Sequence, residues 1–201
     1  MIFAADFFVI RRGVIVPPGH AMPLLASYGF FSFATAIGQH EFWRFFTYQF
    51  CHANIDHILL NMLSLAMIGP LVEEEMGRMR YLVFYLICGA AGPIAHLVFG
   101  QIGMMSVDIY TPLVGASASI YGVLVAAARI APDEEVMLAF PPIDLKLRTF
   151  VIIMIGLSLG AVFWRWQNAG GHAAHIGGAV MGWFLVRRML PINREDAMAR
   201  R

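Results

Sequence analysis

The chain has 201 residues, of which 59% are hydrophobic and 13% are charged, and its mean hydropathy is +0.69. Soluble domains hold about 45–50% apolar and about 25% charged residues, so this composition excludes an ordinary soluble domain and predicts an integral membrane protein. The net charge of +1, without a basic block, argues against a nucleic-acid-binding protein. Cys51 and Cys88 lie in apolar surroundings and form no CxxC pair, so neither a disulfide framework nor a metal site is expected.

The hydrophobic runs predict six membrane spans, the first of them irregular. Two N-terminal stretches compete for this first span: residues 1–16 are interrupted by Arg11 and Arg12, and residues 22–37 are short and rich in small and aromatic residues. A bilayer requires about 17–25 mostly apolar residues per helix. Five clearer runs follow, at residues 54–71, 81–99, 115–130, 147–164 and 172–190.

The distribution of Lys and Arg predicts a cytoplasmic C-terminus. With the tail 191–201 inside, alternating the five clearer spans places ten Lys and Arg residues on the cytoplasmic side and only Arg44 and Arg165 on the outer side. The remaining two, Arg11 and Arg12, depend on the first span. Short cytoplasmic loops are enriched in these residues, so the asymmetry indicates the orientation.

Polar residues in three predicted spans lie at a common depth. Ser117 follows the outer start of its span by about two residues, and His175 follows the outer start of the last span by about three. His57 and Asn61 lie about three and seven residues into the span at 54–71, four residues apart and therefore on one helix face. All four are within about 3–12 Å of the outer helix ends. Polar residues inside spans indicate a functional site by default.

These groups suit acyl transfer, although close helix packing by small residues is the competing interpretation for Ser117. A serine hydroxyl becomes a nucleophile when a neutral imidazole takes its proton, which His175 could do. The Asn61 amide, a His57 N–H and the Ser117 backbone N–H could bind an oxyanion. Gly178 and Gly182 form a small-xxx-small face on the last span. The small residues around Ser117, beginning at Gly115, offer the matching surface, and close approach would bring Ser117 Oγ within hydrogen-bond reach of His175.

Five motifs, in order, resemble the rhomboid intramembrane serine proteases over residues 41–190. They are EFWRFFT with Trp43 and Arg44, HANIDHILLNMLSL with His52, His57 and Asn61, GPLVEEEMG with Gly69, Glu73 and Gly77, GASAS with Gly115 and Ser117, and AHIGGAVMG with His175, Gly178 and Gly182. Each motif alone is weakly specific, whereas five in order at the expected spacing and depth are strongly so.

The resemblance implies an all-α, six-helix polytopic bundle that forms a single transmembrane domain over residues 1–201, with its core at 41–190. It implies a serine endopeptidase with Ser117 as nucleophile, His175 as general base, and His57, Asn61 and the Ser117 N–H as the oxyanion hole. No metal or cofactor is implied. The implied partners are the bilayer and transmembrane protein substrates cleaved near the outer face, in a bacterial inner or plasma membrane. A departure is Ala118, where the family usually has glycine.

Other polar residues have alternative interpretations. Ser119 is a rival nucleophile, but it points some 200° around the helix from Ser117, and we expect it to bond its own backbone. His172 is expected to be a hydrated interfacial residue. Glu73 is expected to bond backbone or to cap a turn, and Arg44, beside Trp43, to anchor the chain at the interface. The alternative function is a non-catalytic rhomboid-like pseudoprotease that binds transmembrane helices.

Overall fold

The structure is a computed structural model, and it describes residues 28–139, 142–166 and 168–190. The described chain contains five long helices, which confirms the helical bundle predicted from the sequence. They are α1 (Ile55–Met76), α2 (Arg78–Gln101), α3 (Ser117–Ile130), α4 (Leu147–Phe163) and α5 (Ala169–Met189). By length and composition α1 and α2 suffice to cross a membrane, and α3 and α4 are shorter apolar helices. The candidate span at 1–16 and the tail at 191–201 lie outside the described residues.

The helix α1 is longer than its predicted span and passes through Pro70 to Met76. The Asn54 side chain caps its start by accepting the His57 N–H at 2.8 Å. Its end is Gly77, whose φ of +76° suits a residue without a Cβ. The Gly77 N–H donates to the Glu73 carbonyl at 2.8 Å, so the Glu73 backbone closes this turn.

Gly69 lies buried inside α1 and faces the start of α2. A Cβ at Gly69 would lie 2.8 Å from the Tyr81 hydroxyl oxygen. Gly69, the Glu73 carbonyl and Gly77 therefore lie where α1 joins α2.

Residues 30–37 do not form the membrane helix considered for 22–37. Phe31 pairs in antiparallel fashion with Leu113, with N–H···O distances of 3.0 and 2.7 Å, and a π-helical turn follows at Ala34–Gly38. A short helix, Arg44–Thr47, and a 3₁₀ turn, Tyr48–Phe50, then lead towards α1. This segment packs against the bundle beside the start of α3, so its aromatic residues bury surface against protein.

A β-hairpin between α3 and α4 adds to the predicted all-α fold. Strands β1 (Glu135–Ala139) and β2 (Pro142–Lys146) pair antiparallel, with Glu135 opposite Lys146. Salt bridges of 3.1 and 3.2 Å link Asp133 to Lys146 and Arg148 at the base of the hairpin. In the predicted topology this hairpin lies on the cytoplasmic side.

The helix α3 is shorter than a bilayer is thick, which predicts that Ser117 lies below the membrane surface. Its 14 residues extend about 21 Å, whereas the hydrocarbon core of a bilayer is about 30 Å thick. A helix of that length that reaches one surface stops about 9 Å short of the other. Residues 113–116, which lead into α3, are non-helical backbone, and Ser117 is the first helical residue.

Glycine contacts hold α5 against α3. A Cβ at Gly178 would overlap the backbone carbonyl of Ala118, and a Cβ at Gly182 would lie 2.5 Å from the Gly122 Cα. The two helices therefore touch backbone to backbone, as the small-xxx-small pattern predicted. This close approach aligns the second turn of α5 with the first turn of α3.

Replacing Gly178 by alanine is expected to lower the free energy of unfolding by about 1–3 kcal/mol, because the added methyl group overpacks this contact. Gly156→Ala in α4 is the matched control, since nothing lies within 4 Å of a Cβ there. The control should be neutral or stabilising by up to about 1 kcal/mol, because alanine has the higher helix propensity. Thermal unfolding in detergent measures both, and equal Tm values for the two variants would contradict the close packing.

Candidate active site

Ser117 and His175 meet where α3 and α5 cross. The distance from Ser117 Oγ to His175 Nε2 is 2.7 Å, which is a hydrogen bond. Both side chains are only partly buried, so a reactant can reach them. If Ser117 donates, His175 Nε2 is the acceptor and the imidazole proton lies on Nδ1, which is the tautomer required of a general base.

A stacked aromatic ring orients the His175 imidazole. The Tyr121 ring lies parallel to it, with a centroid distance of 4.3 Å and an interplanar angle of 14°. Tyr121 follows Ser117 by four residues and therefore shares its helix face. Within the described residues, the buried His175 Nδ1 has no hydrogen-bond partner, so the stacked Tyr121 ring and the bond to Ser117 hold the imidazole.

A second layer of hydrogen bonds surrounds the stacked pair. The Tyr121 Oη lies 3.0 Å from Ser158 Oγ, and Ser158 Oγ lies 3.4 Å from His172 Nδ1. His172 also contacts His175 edge-on, with ring centroids 5.4 Å apart. His172 thus packs beside His175 while staying partly exposed, and its interpretation as a hydrated interfacial residue stays a prediction. Sequence reasoning missed Tyr121 and Ser158, although the four-residue spacing from Ser117 could have indicated Tyr121.

Donors from α1 face the segment that precedes Ser117. Gly115 has a φ of +120°, and a Cβ there would lie 2.7 Å from His57 Nε2 and 3.6 Å from Asn61 Nδ2. Asn61 is buried, and its Nδ2 has no hydrogen-bond partner within the described residues. A buried donor left unpaired costs about 1–3 kcal/mol, so its presence calls for an explanation. The Ser117 N–H, in the first turn of α3, also lacks an intrahelical acceptor.

His52, in the loop before α1, packs edge to face against His57 in the first turn of α1, with ring centroids 5.2 Å apart. The Ala53 N–H approaches His57 Nδ1 at 3.5 Å, which leaves His57 Nε2 to carry the proton and face Gly115. In the loop before α1, burial first and then repulsion from His57 lower the pKa of His52 to about 4. His52 is therefore neutral at pH 7 and packs against His57 without adding charge.

Arg44 is buried and its guanidinium bonds polar groups of the protein, while its expected role as an anchor at the membrane interface stays a prediction. Its Nε donates to Glu41 Oε2 at 2.6 Å, and its Nη1 donates to the Phe30 carbonyl at 2.7 Å. Trp43 is 51% exposed and donates from Nε1 to the Tyr28 carbonyl at 3.3 Å. The Trp-Arg pair therefore joins residues 28–30 to the segment before α1.

Ser119 and Ala118 are both buried behind Ser117. The Ser119 hydroxyl donates to Gln49 Oε1 at 2.7 Å, not to its own backbone as expected. This bond and its complete burial leave it poorly suited to be a nucleophile. The Ala118 methyl fits against Gly92, since a Cβ on Gly92 would lie 3.0 Å from it. Gly92 on α2 thus leaves room for the Ala118 methyl group, which a glycine at position 118 would lack.

Comparison with known proteins yields one family. The Rhomboid domain model matches residues 39–192. The chain is 35% identical over 148 residues to Rhomboid protease GluP of Bacillus subtilis (strain 168), covering 74% of this chain and 26% of that protein. It is 31% identical over 161 residues to RHOMBOID-like protein 1 of Arabidopsis thaliana, covering 80% of this chain and 38% of that protein. RHOMBOID-like protein 2 of the same plant is 32% identical over 167 residues, covering 83% of this chain and 48% of that protein. The chain thus spans about a quarter to a half of the length of these relatives.

Proposed function

Because the chain belongs to the rhomboid family of integral multi-pass membrane proteins, we propose that it is an intramembrane serine endopeptidase. Its substrates are transmembrane proteins, cleaved near the outer face of the membrane. The observation that carries this proposal is the 2.7 Å hydrogen bond between Ser117 and His175 beside the unpaired amide of Asn61. A nucleophile, a base and an oxyanion donor then lie together at the end of α3.

In the first half of the reaction, Ser117 Oγ attacks the carbonyl carbon of the scissile peptide bond while His175 Nε2 takes its proton. The carbonyl oxygen becomes an oxyanion that accepts hydrogen bonds from Asn61 Nδ2, His57 Nε2–H and the Ser117 N–H. His175 then protonates the leaving amide nitrogen, the C–N bond breaks, and an acyl-enzyme remains on Ser117.

In the second half, water attacks the acyl carbon and His175 Nε2 takes a proton from it. The tetrahedral intermediate forms at the same donors, and its collapse returns the proton from His175 to Ser117 Oγ. The new carboxyl terminus is released. All proton transfers use one nitrogen, so the stacking of His175 on Tyr121 suits the reaction by holding that nitrogen in place.

The site of cleavage follows from the depth of Ser117. The predicted orientation, with a cytoplasmic C-terminus, turns the start of α3 towards the outer side. Ser117 then lies below the outer surface by about one to two helical turns. Peptide groups in an intact helix are already hydrogen-bonded, so the enzyme acts on a substrate helix that unwinds locally near this depth.

A fluorophosphonate probe tests the proposal, because it reacts with a serine that an adjacent base activates. The wild type in detergent should be labelled, and Ser117→Ala should remove the label completely. Ser64→Ala is the matched control, since Ser64 lies partly exposed on α1 and, among the residues that the structure describes, donates to the Leu60 carbonyl alone, at 2.8 Å. Absence of labelling in folded wild type would contradict the protease and favour the alternative, a pseudoprotease that binds transmembrane helices.

A further inference from the structure

Two buried polar side chains, one on the first turn of α3 and one packed against it, have no part in the reaction described above. Gln49 is 1% exposed and Ser119 is fully buried. The Ser119 hydroxyl donates to Gln49 Oε1 at 2.7 Å. Gln49 Nε2 donates to the carbonyl oxygens of Leu86 and Phe45 at 3.2 and 3.3 Å. One amide thus joins the 3₁₀ turn Tyr48–Phe50 to both α2 and α3.

The surrounding residues leave room for this pair. A Cβ at Gly89 would overlap both the Gln49 amide and the Ser119 hydroxyl, so glycine is required on that face of α2. The Gly89 carbonyl accepts the Tyr48 hydroxyl at 2.6 Å. Buried polar groups whose bonds are satisfied in this way specify one arrangement of the elements they join.

The hydrogen bonds from this turn lie on both sides of Ser117 in the sequence. The Tyr48 carbonyl accepts the Gly115 N–H at 3.0 Å, two residues before Ser117. The Gln49 side chain accepts the Ser119 hydroxyl, two residues after it. Two adjacent residues therefore hold both flanks of the nucleophile.

The same turn leads directly into the helix of the oxyanion donors. Only residues 51–54 separate it from α1, whose first two turns carry His57 and Asn61. A displacement of the turn relative to α3 would therefore change the distance from Ser117 to these donors. This connection links the two halves of the site.

Resting on the proposed function, we propose that Gln49 and Ser119 form a positioning pair that sets the placement of Ser117 relative to the oxyanion donors. Neither side chain touches the substrate. The pair acts by fixing the first turn of α3 against the 3₁₀ turn. A misplacement of reacting groups by about 1 Å can lower a rate about 10²-fold, so a single buried hydrogen bond at this place has a large effect on turnover.

The test is a double-mutant cycle on kcat and KM for cleavage of a transmembrane peptide. Ser119→Ala and Gln49→Met should each lower kcat about ten- to a hundredfold and leave KM unchanged. The double variant should lose no more than the worse single variant, because both single variants already remove the Ser119–Gln49 hydrogen bond. Ser119→Cys, which keeps a weak donor, should restore part of the lost kcat.

Val186→Ala is the control for general destabilisation. Val186 is fully buried in the last turn of α5, whereas His175 lies in the second turn. At equal amounts of folded protein it should keep the wild-type kcat. A wild-type kcat in Ser119→Ala would overturn the positioning pair. If that variant does not fold, a wild-type kcat in both Ser119→Cys and Gln49→Met would overturn it. Additive losses in the double variant would also overturn it. An inactive wild type would instead overturn the proposed function, and the pair with it.

Discussion

Replacing His175 by alanine should lower kcat for peptide cleavage about 10⁴-fold or more. Without Nε2 at 2.7 Å, nothing takes the proton of Ser117 Oγ during attack, and nothing protonates the leaving nitrogen. Loss of the base in a nucleophile–base pair costs about as much as loss of the nucleophile, because the two act as a unit. The measurement is single-turnover cleavage of a transmembrane peptide in proteoliposomes.

Ser117→Ala and the double variant complete this experiment. All three proteins should have the same residual rate, because removing the second member of the unit removes nothing further. The variant His172→Ala is the matched control, since it deletes a neighbouring imidazole that bonds Ser158 and leaves Ser117 with its base. The rate of cleavage should fall much less in His172→Ala than in His175→Ala. Retention of more than about one hundredth of the wild-type rate in His175→Ala would refute the base assignment.

The elements of the site that follow helical spacing could be predicted from the sequence. His57 and Asn61 are four residues apart, and Gly178 and Gly182 repeat the same interval, so periodicity alone places each pair on one face. The depth of Ser117 and His175 follows from counting residues into their spans. The structure places Ser117 and His175 within hydrogen-bond distance, and their catalytic roles remain proposals.

Contacts between residues far apart in sequence could not be predicted. The Ser119 hydroxyl meets Gln49 across 70 residues, and no periodic pattern relates the two. Local backbone bonding was the default expectation for a serine in a hydrophobic helix, and a tertiary partner replaced it. The Phe30 carbonyl that accepts from Arg44 Nη1 is another such partner, because it lies 14 residues away and only the fold brings it there.

The irregular segments were missed because hydropathy does not distinguish protein-facing from lipid-facing surface. Residues 30–37 are apolar enough to suggest part of a span, yet Phe31 pairs with Leu113, and Phe31 and Ala36 are buried against the bundle. The β-hairpin at residues 135–146 interrupts a chain whose composition is typical of a helical membrane protein. Only its second strand, Pro142–Lys146, alternates apolar and charged residues, and five residues are too few to stand out beside five long helices.

Replacing Asn61 by alanine should lower kcat about 10²–10³-fold, or about 2.7–4 kcal/mol in transition-state stabilisation. The reason is that Asn61 Nδ2 is buried near Gly115 without a partner in the described chain, so its hydrogen bond is available to an oxyanion. The measurement is kcat and KM for peptide cleavage, with KM expected to stay unchanged because the bond strengthens only as negative charge develops.

Stability should not fall in parallel with activity. Asn61→Ala removes a buried donor that is unpaired in the resting enzyme, and this relief of about 1–3 kcal/mol offsets the lost packing, so Tm should stay near or above the wild-type value. Asn61→Asp, which keeps the shape but replaces the donor by an acceptor, should be as inactive as the alanine variant. Ser64→Ala, one turn along α1, should change neither quantity. A variant at Asn61 that lost Tm but kept kcat would make the amide a structural group and remove it from the oxyanion site.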